Sequence, residues 1–285
     1  MIPSLHNGIT ALKSLSQGLQ ILGNNIANVN SLGYKSSRAN YSDNFYLHLN
    51  DAESGADGEP SNNIQQHGTG VHVGSVSSNF NQGTIEVTGL DLDLAIQGEA
   101  LPNGGGFFEV TDPVTGELFY TRAGAFEATN QGFVVTRDQY RYQLQGVDNA
   151  LTVAVPETQT LLARRVEEDG VINLVVHDSA QKKDIVTKVG QVKLVNFLSP
   201  QYLRRVGNGF YSNGRAGQNI AGISANPVPA TGSNGKIKQY ALEMSNVDLT
   251  NEFASMISHQ RSFQAGSRVV TTSDMILSEA VNLKR

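Results

Sequence analysis

Apolar residues recur every seventh position near the start of the chain and again throughout its last forty residues. Such a spacing places side chains along one side of an α-helix and predicts two terminal helices that pair as a coiled-coil-like stem. The side chains expected to carry self-assembly are Leu5, Leu12, Leu15, Leu19, Leu22, Asn24, Asn25 and Ile26 at the first end, and Leu249, Phe253, Met256, Phe263, Val270, Leu277 and Val281 at the second. Asp248 stands where a helix N-cap belongs, and Glu252 follows in the first turn.

Between these ends the apolar pattern changes to a period of two, which is typical of strands. Short strands are predicted within 71–76, 91–96, 132–135, 171–176 and 189–195. Most of the 29 glycines and all but one of the 8 prolines lie in this middle part, with no helical pattern between the strands. This favours an antiparallel β domain over a parallel sheet with crossover helices. The predicted fold class is α+β, mainly β with discontinuous terminal helices.

Three regions follow from these patterns. Residues 1–32 and 246–285 form a terminal helical assembly domain, 33–70 a connector, and 71–245 a central β domain. Within the connector, residues 50–66 are rich in Asp, Glu, Ser, Asn and Gly without periodicity, which indicates an exposed, flexible loop.

The terminal helices are poorly equipped to exist alone. Gly8, Gly18 and Gly23 interrupt the first helix and Gly266 the second, and each costs about 1 kcal/mol relative to alanine in a helix interior. The apolar area buried between two helices does not clearly offset the entropy lost in ordering them. We therefore expect burial against further copies of the chain. The alternative is an intramolecular helical hairpin docked on the β domain.

Composition excludes several function classes. The net charge of −5 argues against a nucleic-acid partner, and the absence of cysteine excludes thiol catalysis, thiolate metal sites and disulfides. No cleavable signal sequence is evident. Nucleophile, zinc-peptidase and phosphate-loop motifs are also missing. We accordingly predict no catalytic residue, no cofactor, no metal and no small-molecule substrate.

Two long terminal motifs resemble those of bacterial flagellar hook and rod proteins. The first runs from Leu19 through Asn24-Asn25-Ile26-Ala27-Asn28 to Gly33-Tyr34-Lys35, and the second from Ser245 to Arg285. Segments 70–76, 93–98, 106–108 and 120–124 match as well, so the resemblance covers most of the chain. Residues 99–105 widen a link that is usually short, and Ser31 stands where Thr is frequent.

The resemblance implies a structural, non-enzymatic axial protein that forms a helical tube, with terminal helices lining the channel and β domains outside. It implies export through the flagellar type III apparatus without a cleaved signal, and a place in the extracellular hook or the basal body. The implied partners are copies of itself, rod, hook-filament junction and hook cap proteins, and the export apparatus. The motifs favour the hook subunit, with the distal rod as the alternative. A rival from another class is an extracellular β-rich binding module or enzyme.

Overall fold

The computed structural model describes residues 3–51, 64–98, 105–147, 151–153, 159–178, 183–214, 221–223, 228–230 and 234–283. The described residues form two α-helices, a short 3-10 helix at Pro200–Tyr202 and nineteen strands, which group into two compact units. Unit 1 comprises residues 1–27, 37–78 and 248–285, and unit 2 comprises residues 28–36 and 79–247. The α+β class with an antiparallel β domain is confirmed.

The elements follow the chain in one order. They are α1 Pro3–Ala27, β1 Ser37–Asp43, β2 Tyr46–Asn50, β3 Gln65–Gly68, β4 Val71–Ser78, β5 Ile85–Val87, β6 Leu94–Gln97, β7 Phe107–Thr111, β8 Leu118–Thr121, β9 Phe126–Ala128, β10 Val134–Thr136, β11 Gln143–Leu144, β12 Gln159–Val166, β13 Val171–Asp178, β14 Lys183–Gln191, β15 Leu194–Val195, β16 Arg204–Gly207, β17 Phe210–Ser212, β18 Lys236–Gln239, β19 Ala241–Glu243 and α2 Leu249–Asn282.

Unit 1 consists of the two terminal helices and two antiparallel strand pairs. Strand β1 pairs with β4 from Ser37 opposite Ser78 to Asp43 opposite Val71, and β2 pairs with β3. Helix α2 begins as predicted, because the Asp248 carboxylate accepts hydrogen bonds from the backbone amides of Thr250 and Asn251. Helix α1 packs against α2, β1 and β4.

Unit 2 is built on an eight-stranded antiparallel sheet in the order β16-β17-β8-β7-β11-β10-β9, with β15 added beside β7. A three-stranded sheet, β12-β13-β14, and the pairs β18–β6 and β19–β5 complete it. Alternate strand residues converge on a buried core. The aromatic residues at the centre of the predicted β domain are all buried: Phe107, Phe108, Phe119, Tyr120 and Phe126.

The two units divide the chain at other residues than the three predicted regions do. Strands β1, β2 and β3 lie within the predicted connector, but all three group with the helices in unit 1, where α1 packs on the β1–β4 pair. Residues 52–63 of the predicted loop and 99–104 of the widened link lie outside the described residues. In the described part of the chain, no helix combines the length and the apolar character that a membrane span requires.

Candidate assembly surface

The terminal helices of unit 1 pair antiparallel. Along α1 from its start, Ser4 lies against Ser273, Gly8 against Val270, and Leu12 against Gly266. The hydroxyl oxygens of Ser4 and Ser273 are 3.2 Å apart. The residue numbers rise along α1 as they fall along α2, so the two helices run in opposite directions.

Glycine marks the closest approaches between the helices. A β-carbon at Gly8 would lie 2.8 Å from Cγ2 of Val270, and one at Gly266 would lie 3.3 Å from Cδ2 of Leu12. Each helix therefore provides a glycine where the other inserts a side chain. The glycines that weaken an isolated helix allow the close packing of the pair.

A second face of α1 is polar and contacts the β1–β4 and β2–β3 strand pairs. The Asn7 amide donates to the carbonyl oxygen of Gly68, and the Ser14 hydroxyl lies 2.9 Å from the carbonyl oxygen of Val71. At Gly18 a β-carbon would overlap the hydroxyl of Tyr41, which is hydrogen-bonded to Nε2 of His259 at 3.1 Å. Small and polar residues at helical spacing are the signal for this face, which sequence reasoning missed.

Asn25 joins three elements of unit 1. Its amide nitrogen donates to the carbonyl oxygen of Ser37 at 2.8 Å and to Oε1 of Glu252 at 3.2 Å. Its amide oxygen accepts from the backbone nitrogen of Ser37 at 3.0 Å. The side chain is 1% exposed, so this asparagine links α1 to both β1 and α2. Burial raises the pKa of Glu252; the hydrogen bond from Asn25 opposes this effect and the charge of Asp248 adds to it.

The predicted assembly residues differ in burial within this chain. Leu5, Leu12, Leu15, Leu19, Leu22, Ile26, Met256, Val270 and Leu277 are partly buried. Leu249, Phe253, Phe263 and Val281 are exposed, as is Asn24, whereas Asn25 is buried. Among the described residues of α2, Ser273 is the one classed as buried. Unit 1 of a single chain thus leaves several of the predicted apolar residues of α2 open to solvent.

Further apolar side chains that were not predicted are also exposed in unit 1. On α2 they include Ile257, which is 52% exposed and lies one turn from Phe253, and Met275, which is 63% exposed. The β2–β3 pair is exposed at every described residue, including Tyr46 and Leu47. Large apolar side chains that are exposed one helical turn apart, as Phe253 and Ile257 are, are typical of an interaction site.

The Gly33-Tyr34-Lys35 motif belongs to unit 2 and has a different role. Lys35 Nζ donates to Oε1 of Glu243 at 2.7 Å, and Arg122 Nη1 donates to Oε2 of the same carboxylate at 3.2 Å. All three side chains are fully buried. Gly33 adopts a φ of +62°, and a β-carbon there would lie 2.7 Å from the amide nitrogen of Ala123. Composition and spacing gave no signal for this ionic cluster.

Burial, reinforced by Arg122 and opposed by Glu243, lowers the pKa of Lys35 to about 8. Burial also lowers the pKa of Arg122, although Glu243 opposes it. For Glu243, burial alone would raise the pKa, but the charges of Arg122 and Lys35 and the hydrogen bonds from Lys35 and the Gly83 amide outweigh it, and the pKa is lowered. The cluster therefore depends on one ionised carboxylate shared by two cations.

No group of histidine and carboxylate side chains suited to hold a metal ion occurs among the residues that the structure describes. The geometry of unit 1 instead offers two half-covered helices and an exposed strand pair, which suit contacts between proteins.

Comparisons with known proteins match both ends and the middle of the chain. Residues 5–35 match the family "Flagella basal body rod protein", residues 102–174 match "Flagellar hook protein FlgE/F/G D1 domain", and residues 238–283 match "Flagellar basal body rod FlgEFG protein C-terminal". The flagellar basal-body rod protein FlgG of Bacillus subtilis is 35% identical over 286 residues, covering 100% of both chains. This chain belongs to the flagellar hook and rod protein family.

Two other relatives, one rod protein and one hook protein, differ in how much of their length matches this chain. The rod protein FlgG of Caulobacter vibrioides is 30% identical and covers 99% of both chains. The hook protein FlgE of Treponema pallidum is also 30% identical, but the match spans 67% of this chain and 35% of that protein. The family consists of structural components of the flagellum, not enzymes. The expectation of a hook subunit is less well supported than that of a rod subunit.

Proposed function

We propose that this chain is the distal rod subunit of the flagellar basal body, and that it assembles with copies of itself into a helical tube. The observation that carries the rod assignment is length. The rod relatives align from end to end with this chain, whereas about a third of the Treponema hook protein aligns with it. A rod made of this subunit would transmit motor torque as a stiff shaft.

The exposed surface of unit 1 supports self-assembly through the terminal helices. Helix α2 is 34 residues long, and its side chains Phe253, Phe263 and Val281 are exposed in the single chain. Covering these side chains removes apolar area from water, at roughly 25 cal/mol per Å². We infer that neighbouring copies bury the heptad residues that the helix pair leaves open, and that the rest of the predicted set packs within each subunit.

The proposed partners are copies of this chain, the adjoining axial proteins of the flagellum and the type III export apparatus. We propose that the chain is exported without a cleaved signal and resides in the basal body. In this proposal the predicted terminal helices line the channel of the tube, and the predicted central β domain forms its outer layer.

Imaging of flagella in cells that lack this gene tests the rod assignment. A distal rod subunit predicts basal bodies that end within the rod, with no hook, and recovery of the full rod when the gene is restored. Cells that retain a complete rod but lose the hook would instead identify the chain as the hook subunit and contradict the proposal.

A further inference from the structure

Two distant parts of the chain lie side by side within unit 2. The backbone nitrogen of Gly33 donates to the carbonyl oxygen of Glu243 at 2.8 Å, and the backbone nitrogen of Asn246 donates to that of Tyr34 at 3.3 Å. The side chain of Asn246 also accepts from the backbone nitrogen of Ser36 at 2.8 Å. The segment that follows α1 is therefore held by the segment that precedes α2.

The same late segment completes the interior of unit 2. Strand β18 pairs with β6 over four residues, from Lys236 opposite Gln97 to Gln239 opposite Leu94. Among the described residues, β18 is the one strand paired with β6. Leu94 and Ile96 of β6 are nevertheless fully buried. The core strand β6 therefore pairs with a strand that follows it in the sequence by about 140 residues, counted from the paired positions.

Electrostatics makes the same segment indispensable. Lys35 and Arg122 are fully buried beside one another, and Glu243 supplies the carboxylate to both. Glu243 also accepts a hydrogen bond from the backbone nitrogen of Gly83 at 2.8 Å. Without Glu243, both buried cations would lose the carboxylate that they share, and a buried charge that loses its counterion is strongly destabilising.

We propose that Glu243 is a closing latch: unit 2 reaches its folded state only when the segment 236–246 docks and its carboxylate joins Lys35 and Arg122. The β unit of a chain that emerges from its amino end would stay open until this late segment is present. The same docking event brings residues 33–36, which follow α1, together with residues 243–246, which precede α2. This inference goes beyond the proposed function and holds equally for a rod or a hook subunit.

Refolding of the full-length protein, followed by pulsed hydrogen exchange with mass spectrometry, tests the order of events. We expect amides of β6 and of β7 to gain protection together with those of β18 and β19, and not before them. Protection of β6 and β7 while β18 and β19 still exchange freely would overturn the latch.

Substitutions that remove single charges from the full-length protein test whether the Glu243 carboxylate, and not packing alone, holds unit 2 closed. Glu243→Gln should accelerate exchange of β6 about a hundredfold or more relative to its control, as expected when a buried ion pair loses one member. The control is Glu86→Gln, which neutralises an exposed glutamate on β5, opposite Leu242. We expect β6 in the control to exchange as in the natural protein.

Adding Lys35→Met to Glu243→Gln removes one of the two buried cations that lose the Glu243 carboxylate in the single variant. The double variant should exchange more slowly in β6 than Glu243→Gln alone, although it carries one more core substitution. A double variant that exchanges faster than the single variant, or a Glu243→Gln effect confined to residues 234–246, would overturn the proposal. If Glu243→Gln does not fold, recovery of a folded double variant still supports the latch, and failure of both contradicts it.

Discussion

A β-carbon placed at Gly8 would lie 2.8 Å from Cγ2 of Val270, closer than packed carbon atoms approach. Gly266 stands in the same relation to Leu12, at 3.3 Å. The glycines in the terminal helices therefore have two different kinds of environment, because a β-carbon at Gly23 would lie in open space beside the helix. That contrast can be tested by substituting single residues.

Gly18→Ala and Gly23→Ala should change stability in opposite directions. Alanine at position 23 gains about 1 kcal/mol of helix propensity without a clash. Alanine at position 18 meets the Tyr41 hydroxyl and His259, and we expect it to lose about 1–3 kcal/mol through displacement of that hydrogen-bonded pair. Urea unfolding followed by circular dichroism measures both. Equal stabilisation by the two alanines would show that α1 does not pack on β1 as described.

Asn25→Ala should lower the free energy of unfolding by about 2–3 kcal/mol, because it leaves buried partners on Ser37 and Glu252 without their hydrogen bonds. Gln20→Ala is the matched control, since Gln20 is an exposed amide on the same helix. Thermal and urea unfolding of the two variants should differ clearly. Similar unfolding midpoints for the two variants would show that the Asn25 side chain does not stabilise the contacts among α1, β1 and α2.

Lys35 predicts a specific dependence of stability on pH. Its pKa is about 8 in the folded protein and 10.5 ordinarily. Between these values the unfolded chain binds more protons at this site than the folded one, so the Lys35 contribution to the free energy of unfolding rises with pH. Below pH 8 both states are protonated and the contribution is flat. Burial also raises the pKa values of Tyr120 and Tyr211, so these tyrosines lose their protons in the unfolded chain first and lower the stability as the pH approaches their ordinary pKa. The contribution of Lys35 is therefore best measured between pH 8 and about 9.5.

Urea unfolding of the natural protein and of Lys35→Met across that window isolates this contribution. We expect the difference between them to shift in favour of the natural protein as pH rises from 8. A constant difference would show that Lys35 titrates in the folded state as it does in the unfolded chain.

Phe253→Ser combined with Ile257→Ser should abolish tube formation while changing monomer stability by less than about 1 kcal/mol, because both side chains are about half exposed in the single chain. Gln264→Ala is the matched control on the same helix, at another exposed position. Electron microscopy of basal bodies from complemented cells measures assembly. Normal rods in the double variant would show that neighbouring copies do not cover this part of α2.

The periodic features of the fold could be predicted from the sequence because they are local. The two heptads located both helices, and Asp248 located the start of α2. Alternating residues located β4 and β13, although 189–195 proved to be the end of β14 and the separate strand β15. Features that depend on contacts between distant residues were not predictable. The burial of Lys35 requires Glu243, 208 positions later in the sequence.

The contacts of the polar face of α1 were likewise not predictable, because they join residues that are distant in the sequence. Asn7, Ser14 and Asn25 were visible as polar residues, but their partners belong to β3, β4 and β1. Helix propensity alone cannot distinguish a glycine that weakens a helix from one that allows close packing, since both have the same local cost. The exposed heptad residues, by contrast, follow directly from two narrow apolar stripes that cannot cover each other completely.

Accessibility of a single introduced cysteine on α2 tests most directly whether neighbouring subunits cover the terminal helices. The natural chain has no cysteine, so Ile257→Cys creates one unique thiol at a position that is 52% exposed in the single chain. We expect rapid maleimide labelling of the purified monomer, strong protection in intact basal bodies, and restored labelling once those basal bodies are dissociated. Labelling of intact basal bodies at the rate of the monomer would contradict this expectation.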